Sequence, residues 1–300
     1  MDSLRMYGIV AWGDAATRDW EVWPDRSEEA WGTGTSQNWE EWPEADQEES
    51  IPDPRYIEAH DLALEPTSDH GFTMLLLHSC SGGPDDWIPI IHRLDVPFRN
   101  EIRFVVPCAP VRRETFDGWT KEQNSWFTYS QDGQHAEDPQ ELQEQMDRME
   151  AILRKEVEKL PGRDARRLLV GGFSQGVALA VELARRHGRR LGGVICMRGA
   201  ALSWTQGQLD QTENLSGLRV LAYHGRWDRL CPPEEAGQSY EPLRVKGADL
   251  RFIVDETLGH ACARGRQQLC GSELEKVSEF LKEVWGEIAC ETGSASLPSV

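Results

Sequence analysis

A chain of 300 residues and 34.0 kDa is long enough to bury the core of one large domain or of two small ones. Its 32 basic and 51 acidic residues give a net charge of −19, which argues against nucleic acid or an anionic membrane surface as a direct electrostatic partner. No run of 18 apolar residues occurs, and the N-terminus lacks a basic-then-apolar pattern. We therefore expect neither a membrane-spanning helix nor a secretory signal peptide.

The cysteines indicate a reducing compartment. They are odd in number, scattered, and form no C-x-x-C pair, which predicts reduced thiols in a cytoplasmic protein, with neither a disulfide framework nor a zinc site. They are Cys80, Cys108, Cys196, Cys231, Cys262, Cys270 and Cys290.

The first 70 residues differ in composition from the rest of the chain. They carry 18 acids and four arginines, a net of −14, whereas the other 230 residues have a net of −5. Their tryptophans repeat at an offset of 19 residues, as Trp12, Trp20 and Trp23 and then as Trp31, Trp39 and Trp42. Because two short units cannot bury a core and the stretch lacks periodicity, we predict a mostly disordered arm over 1–70. Its tryptophan pairs could anchor a protein partner or fold back over the rest of the chain, and the alternative is an acidic tail that only aids solubility.

From Gly71 onward, short apolar runs alternate with amphipathic segments. Near-continuous apolar runs are typical of strands that are covered on both faces. The predicted strands are Phe72–His78, Ile102–Pro107, Arg167–Phe173, Leu191–Met197, Leu218–His224 and Asp249–Val254.

Two helices have clear sequence signals. One has Asp138 as N-cap and Pro139 in its first turn, and it stops at Pro161-Gly162; the last helix opens with a capping box from Ser272 to Glu275. Alternating strands and helices predict an α/β domain over 71–290, a mostly parallel sheet with helices on both faces, followed by a flexible tail over 291–300.

The most specific motif is Gly172-Phe173-Ser174-Gln175-Gly176. This G-x-S-x-G follows a predicted strand and opens a predicted helix, which is the context of a nucleophile elbow. The alternative, a serine that caps a helix beside packing glycines, is much less common in this context. We therefore predict Ser174 as a nucleophile and the Gln175 N–H as an oxyanion donor.

Three histidines follow Ser174. His187 stands in a basic helix end and His224 precedes Gly225 at a strand end, whereas His260 lies in a loop beyond the last predicted strand. Catalytic groups in a parallel α/β sheet lie at the carboxyl ends of strands, and after a nucleophile elbow the base comes last in the chain order. The sequence thus favours His260 as the base over a plain surface histidine.

The acid that orients the base is expected between Ser174 and His260 in the chain. Asp228 lies in the loop after the strand Leu218–His224, so it and His260 follow neighbouring strands. Glu234 and Glu235 are rivals, but they follow two prolines and fit the first turn of a helix. Asp228 is the predicted acid.

A second oxyanion donor is expected in the loop after the first strand, His78-Ser79-Cys80-Ser81-Gly82-Gly83. Its small residues let a backbone N–H approach a substrate oxygen, and we assign that of Cys80. The glycines could equally form an ordinary turn.

These residues together resemble the phospholipase/carboxylesterase family of α/β-hydrolases, which includes the acyl-protein thioesterases. The resemblance runs from about Gly71 to Gly286 and rests on the motifs Leu77-His78 with Trp87, Pro107-Cys108-Ala109-Pro110, Ser125-Trp126-Phe127, Gly172-Phe173-Ser174-Gln175-Gly176, His224-Gly225 before Asp228, and Gly259-His260. It implies a triad of Ser174, Asp228 and His260, no metal or organic cofactor, and Trp126 as a wall of the acyl pocket. As an alternative, Trp126 packs the core.

The chain departs from the family at two places. His78-Ser79-Cys80-Ser81-Gly82 replaces the family's His-Gly-Leu-Gly-Asp, and Thr128 replaces an acid after Trp126-Phe127. The resemblance implies a serine hydrolase of acyl thioesters or carboxylic esters whose substrate is an acylated protein. A general carboxylesterase or lysophospholipase, acting on small esters or lysophospholipids, is one alternative. A catalytically weak fold that serves as a binding module is another.

Overall fold

The computed structural model describes residues 61–116, 119–130, 135–209, 214–260 and 269–292. Nine strands lie in this part of the chain: β1 Leu62–Leu64, β2 Phe72–Leu77, β3 Ile102–Val106, β4 Val111–Phe116, β5 Trp119–Asn124, β6 Leu168–Phe173, β7 Gly193–Met197, β8 Arg219–Gly225 and β9 Asp249–Asp255. Seven of them form one sheet in the order β1-β3-β2-β6-β7-β8-β9, in which only β1 runs antiparallel to its neighbour. The predicted mostly parallel sheet is confirmed.

Helices cover both faces of the sheet. They are α1 Ile88–Arg93, α2 Pro139–Lys159, α3 Gln175–His187, α4 Ser203–Leu209, α5 Pro233–Val245 and α6 Gly271–Thr292. The Asp138 carboxylate accepts from the Gln140 N–H and caps α2, as its sequence predicts. None of the helices in these ranges is long and apolar enough to cross a membrane.

Alternate residues of each strand enter two separate cores. Leu75 and Leu77 of β2 pack with α2 and α3, whereas Met74 and Leu76 pack on the opposite face with α1 and α6. Because both faces are covered, the strand interiors read as continuous apolar runs in the sequence.

The sheet begins earlier in the chain than predicted. β1 pairs with β3 from Leu62↔Val106 to Leu64↔Phe104, and Leu62 and Leu64 pack against the core on the α1 and α6 side. Residues 61–70 therefore belong to the folded domain and not to the predicted arm. A strand of three residues carries too little periodicity to be read from sequence.

The other end of the domain also shifts. The last helix reaches Thr292, so it includes two residues of the predicted tail over 291–300. It begins at Gly271, and the carboxylate that caps it is that of Glu273, which accepts from the Cys270 N–H at 2.7 Å. The predicted capping box of Ser272 and Glu275 is therefore wrong: Ser272 lies inside the helix, and its hydroxyl donates to Asp255 Oδ2. The tryptophan repeat of the arm, any partner it has, and residues 293–300 lie outside the described part of the chain.

A separate two-stranded hairpin follows β3. β4 and β5 pair in antiparallel register from Val111↔Asn124 to Phe116↔Trp119. Its mixed polar sequence gives no strand signal, so the sequence reasoning missed it. The hairpin returns the chain to Ser125 at the start of the Ser-Trp-Phe segment.

Candidate active site

Ser174 stands on a sharp turn between β6 and α3. Its φ of 51° lies in the left-handed region, which non-glycine residues rarely adopt, so the turn stores strain of about 1–3 kcal/mol. The motif glycines allow the close approach: a Cβ on Gly172 would lie 2.4 Å from the Gly176 carbonyl oxygen, and a Cβ on Gly176 would lie 2.3 Å from that of Leu77. The turn places the serine hydroxyl at the carboxyl edge of the sheet.

Ser174, His260 and Asp228 form a continuous row of hydrogen bonds. His260 Nε2 lies 2.9 Å from Ser174 Oγ, and His260 Nδ1 lies 2.8 Å from Asp228 Oδ2. Since a carboxylate only accepts, Nδ1 carries the proton, and Nε2 is left to accept from the serine hydroxyl. In the chain order Ser174, Asp228, His260, the structure brings together the three residues that the sequence singled out.

The Asp228 carboxylate is fixed at both oxygens. Its side chain is fully buried, and Oδ1 accepts from the backbone N–H groups of Leu230 and Cys231 at 3.0 and 2.8 Å. This leaves Oδ2 directed at the imidazole. Such an arrangement fixes the tautomer of His260 and can stabilise an imidazolium when it forms.

The loops after β8 and β9 are interlocked, which places Asp228 beside His260. The Arg226 N–H donates to the Asp255 carbonyl at 2.7 Å, and the Trp227 N–H donates to the Leu258 carbonyl at 2.8 Å. Gly225 has no room for a side chain, because a Cβ there would lie 2.3 Å from the Leu258 oxygen. The Trp227 indole donates to the Glu256 carbonyl, yet its ring is 64% exposed at the rim of the site.

The rival residues lie elsewhere. His187 is the last residue of α3, whose first residue follows Ser174, so a helix of 13 residues separates the two. His224 is buried, its Nε2 lies 2.8 Å from the Gly199 carbonyl, and burial lowers its pKa to about 4. Glu234 and Glu235 lie in the first turn of α5, as expected.

The two predicted oxyanion donors belong to different elements. Gln175 is the first residue of α3, so its N–H has no acceptor within the helix. Cys80 lies in the loop after β2, where the next residue, Ser81, has a φ of 60°. The Ser81 N–H donates to the Asn124 carbonyl at 2.8 Å, and the Asn124 side-chain amide donates to the Gly82 carbonyl at 2.9 Å. The end of the hairpin thus holds this loop, which we call the oxyanion loop (residues 78–82).

A buried histidine holds the start of the oxyanion loop. His78 Nε2 accepts from the Ala109 N–H at 2.9 Å, so Nδ1 carries the proton and donates to the Ser79 carbonyl at 2.7 Å. Burial lowers the pKa of His78 to about 4, which keeps the ring neutral at physiological pH.

Trp126 supports the same loop and does not form an open pocket wall. Its side chain is 0% exposed, and its indole N–H donates to the His78 carbonyl at 2.7 Å. The predicted role as a wall of the acyl pocket is therefore corrected in favour of core packing. The reason is the indole N–H, which needs an acceptor when buried and finds it in the main chain of the oxyanion loop.

The Gln175 side chain connects the elbow to this support. Its Oε1 accepts from the Trp126 N–H at 3.0 Å, and its Nε2 donates to the Phe127 carbonyl at 2.7 Å. This explains why Gln175 occurs together with Ser125-Trp126-Phe127: one amide side chain satisfies the backbone of that segment. Sequence reasoning considered only the Gln175 backbone and missed the side chain.

No group of three His, Cys, Asp or Glu side chains in the described ranges could hold a metal ion. That the reaction needs no metal or organic cofactor stays a prediction.

A model of a known protein family matches most of the chain. The phospholipase/carboxylesterase family model matches residues 63–285. The chain belongs to this family. The expectation of an α/β-hydrolase that cleaves esters or thioesters is thereby confirmed.

Two curated relatives illustrate the range of the family. The chain is 28% identical over 197 residues to acyl-protein thioesterase 1 homolog 1 of Dictyostelium discoideum. The aligned region covers 64% of this chain and 84% of the relative. The chain is 26% identical over 228 residues to lysophospholipase-like protein 1 of Mus musculus, which covers 73% and 89%.

Solved structures support the fold. Acyl-protein thioesterase 2 of Zea mays superposes with a TM-score of 0.56 at 21% identity over 76% of this chain and 99% of that one. A carboxylesterase of Bacillus cereus gives 0.56 at 18% identity over 76% and 95%. At these identities, the likeness concerns the α/β-hydrolase fold alone.

Proposed function

We propose that this family member hydrolyses acyl thioesters or carboxylic esters through an acyl-enzyme on Ser174, and that its substrate class is the S-acylated protein. The observation that supports the proposal is the row of hydrogen bonds from Ser174 through His260 to Asp228 at the carboxyl edge of the sheet. A nucleophile, a base and an orienting acid in this order are what acyl transfer needs.

The chemistry follows from the positions of the protons. His260 Nε2 takes the Ser174 proton as Oγ attacks the acyl carbonyl, and Asp228 stabilises the resulting imidazolium. The N–H groups of Gln175 and Cys80 donate to the tetrahedral oxyanion. His260 then gives its proton to the leaving thiol or alcohol, and water, activated by the same imidazole, hydrolyses the acyl-enzyme to the free acid.

The names of the relatives support the choice of substrate. Several are called acyl-protein thioesterase 1, and one is called lysophospholipase-like protein 1, which keeps small lipid esters as the second candidate. The cytoplasm is the compartment we propose, since the cysteines of the chain are scattered and odd in number, a pattern typical of reduced thiols.

A substrate panel tests the proposal. Peptides S-acylated with C8, C12 and C16 chains, the matching oxygen esters and a lysophospholipid are assayed with wild type and with Ser174→Ala. We expect thioester turnover that Ser174→Ala reduces by several orders of magnitude, and fluorophosphonate labelling that is lost in the same variant. Turnover confined to lysophospholipid would assign the second candidate. Stoichiometric labelling of Ser174→Ala would overturn the nucleophile.

A further inference from the structure

A buried arginine lies at the centre of the carboxyl edge and is absent from the mechanism above. Arg198 directly follows β7, between the strand that carries Ser174 and the strand that leads to Asp228. Its N–H donates to the Tyr223 carbonyl at 2.9 Å, while the preceding Met197 carbonyl accepts from the Ser174 N–H at 3.0 Å. Its φ of 49° is a left-handed conformation that costs free energy for any residue with a side chain.

The Arg198 side chain forms an ion pair with Glu273 of α6. Both side chains are 0% exposed. Arg198 Nε donates to Glu273 Oε1 at 2.6 Å, and a second guanidinium nitrogen donates to Oε2, so the contact is bidentate. Burying two charges requires their desolvation, and an ion pair in a core often contributes no more stability than apolar residues of the same volume. A contribution to stability therefore does not account for the Arg198–Glu273 pair.

The pair is joined to the backbone of the catalytic base. Arg198 Nη1 donates to the His260 carbonyl at 3.0 Å. Glu273 Oε2 accepts from the Cys270 N–H at 2.7 Å. One ion pair thus holds the main chain at residue 260 and at residue 270, on the two sides of residues 261–268.

The guanidinium also supports the imidazole through an aromatic ring. Its central carbon lies 5.5 Å from the centroid of the Phe173 ring, and that ring lies 5.9 Å from the ring of His260. Asp228 fixes only one atom of the imidazole, Nδ1. The direction of Nε2 toward Ser174 depends as well on where the backbone of His260 is held, and an error of about 1 Å at a reacting group can reduce a rate about 100-fold.

We propose that the buried Arg198–Glu273 pair is a positioning device for His260, which sets the distance of Nε2 from Ser174 by fixing the backbone of the base. The proposal rests on the function proposed above, because it assigns His260 as the base. Arg198 and Glu273 touch neither substrate nor the reacting atoms, so both are positioning residues.

Glu273→Gln tests the device, with Glu182→Gln as the matched control. Glu182 is also fully buried and also paired with arginines, Arg185 and Arg186, but it lies in the second half of α3, away from His260. We expect Glu273→Gln to lower kcat at least about 10-fold with KM unchanged, measured well below the melting temperature, and Glu182→Gln to change kcat less than about 2-fold. Equal kcat values for Glu273→Gln and wild type would reduce the pair to a structural one.

Replacing both charged residues distinguishes the positioning role of the ion pair from a contribution to the stability of the protein. Arg198→Met with Glu273→Leu removes the buried charges together and is expected to fold with a melting temperature near that of wild type. Its kcat should be lower than that of wild type, because the His260 carbonyl loses its donor. Arg198→Lys, which keeps a donor, should retain part of the wild-type kcat. A double variant with wild-type kcat would overturn the proposal.

The rate of fluorophosphonate labelling provides a readout without an acyl substrate. Wild type that is not labelled at Ser174 would mean that the proposed function fails. Wild type that is labelled quickly, with Glu273→Gln labelled equally quickly, would mean that only the positioning role fails.

Discussion

The two halves of the site are held by different kinds of contact. In the triad half, three side chains from the loops after β6, β8 and β9 bond directly to one another, and two of those loops interlock. In the oxyanion half, the predicted oxyanion donors are backbone N–H groups. Side chains of four residues hold the main chain that carries them: His78, Asn124, Trp126 and Gln175.

This difference predicts two kinds of mutational response. A substitution in the triad half removes a group that the proposed proton transfer requires, so its effect on turnover should be nearly complete. A substitution in the oxyanion half displaces a donor by part of an ångström, so its effect should be graded and should be accompanied by a loss of stability.

The largest effect is expected at the base. His260→Gln should lower kcat by a factor of about 1,000 or more, because triad members act as a unit, and should leave the fold intact. Steady-state kinetics and circular dichroism measure the two effects. His187→Gln, at the far end of α3, should change kcat little. An inactive His187→Gln beside an active His260→Gln would refute the assignment of the base.

Gly176→Ala should disturb the contact between the two halves. Its Cβ would lie 2.3 Å from the Leu77 oxygen and 2.7 Å from the His78 oxygen, so the oxyanion loop and α3 must move apart. We expect kcat to fall about 100-fold. Gly207→Ala in α4 is the control, because no atom lies within 4 Å of its Cβ position. There the change should raise the free energy of unfolding by about 0.5–1 kcal/mol and leave kcat unchanged.

Each half contains one buried neutral histidine, and this gives a prediction about pH. Burial lowers the pKa of His78 and of His224 from 6.5 to about 4. Between these values, the unfolded chain binds protons that the folded chain does not, so stability falls as pH drops from about 6.5 toward 4. From pH 7 to pH 5, the free energy of unfolding should decrease by about 2 kcal/mol for each histidine.

Urea unfolding at the two pH values measures this decrease. His78→Gln and His224→Gln should each remove their own share of the pH dependence. If only one of the two substitutions reduces the pH dependence of stability, water is excluded less completely from one half of the site than from the other.

The smallest effect is expected at Trp126. Trp126→Phe keeps an aromatic ring, although a smaller one, and leaves the buried His78 carbonyl without its indole donor, which should cost about 1 kcal/mol of stability and reduce kcat a few-fold. Trp285→Phe is a matched control, since Trp285 is also fully buried and its Nε1 has no hydrogen-bond partner in the described part of the chain. Identical kcat values for the two variants would show that the indole of Trp126 does not support the oxyanion loop.

The sequence was informative where the candidate site consists of side chains at strand ends. Ser174 was found from its motif, and Asp228 and His260 from their order and from the strands before them, because parallel strands bring their carboxyl ends to one edge. β1 was missed because three residues give no period, and the hairpin because most residues in the sequence of its strands are polar.

The supports of the site are harder to read for a different reason. Trp126 contacts the oxyanion loop through a hydrogen bond to a carbonyl 48 residues away, and the proposed role of Arg198 depends on a carboxylate 75 residues away. Such pairings depend on tertiary structure, and neither residue belongs to a local pattern that announces its partner. A buried arginine in an apolar run, Cys196-Met197-Arg198, is the one signal that could have been noticed, since arginine is almost never buried without a partner.

The direction of β1 has a practical consequence for anyone who attaches a reporter to this protein. Because β1 runs antiparallel to β3, its first residue lies at the carboxyl edge, where the Asp61 carboxylate accepts from the Cys108 N–H. α6 starts at that edge, with Ser272 bonded to Asp255, and its Trp285 packs on Phe72 at the opposite edge. A fluorophore or affinity handle joined just before residue 61 would therefore stand at the same edge of the sheet as Ser174, and one joined after Thr292 would stand on the opposite side, clear of Ser174.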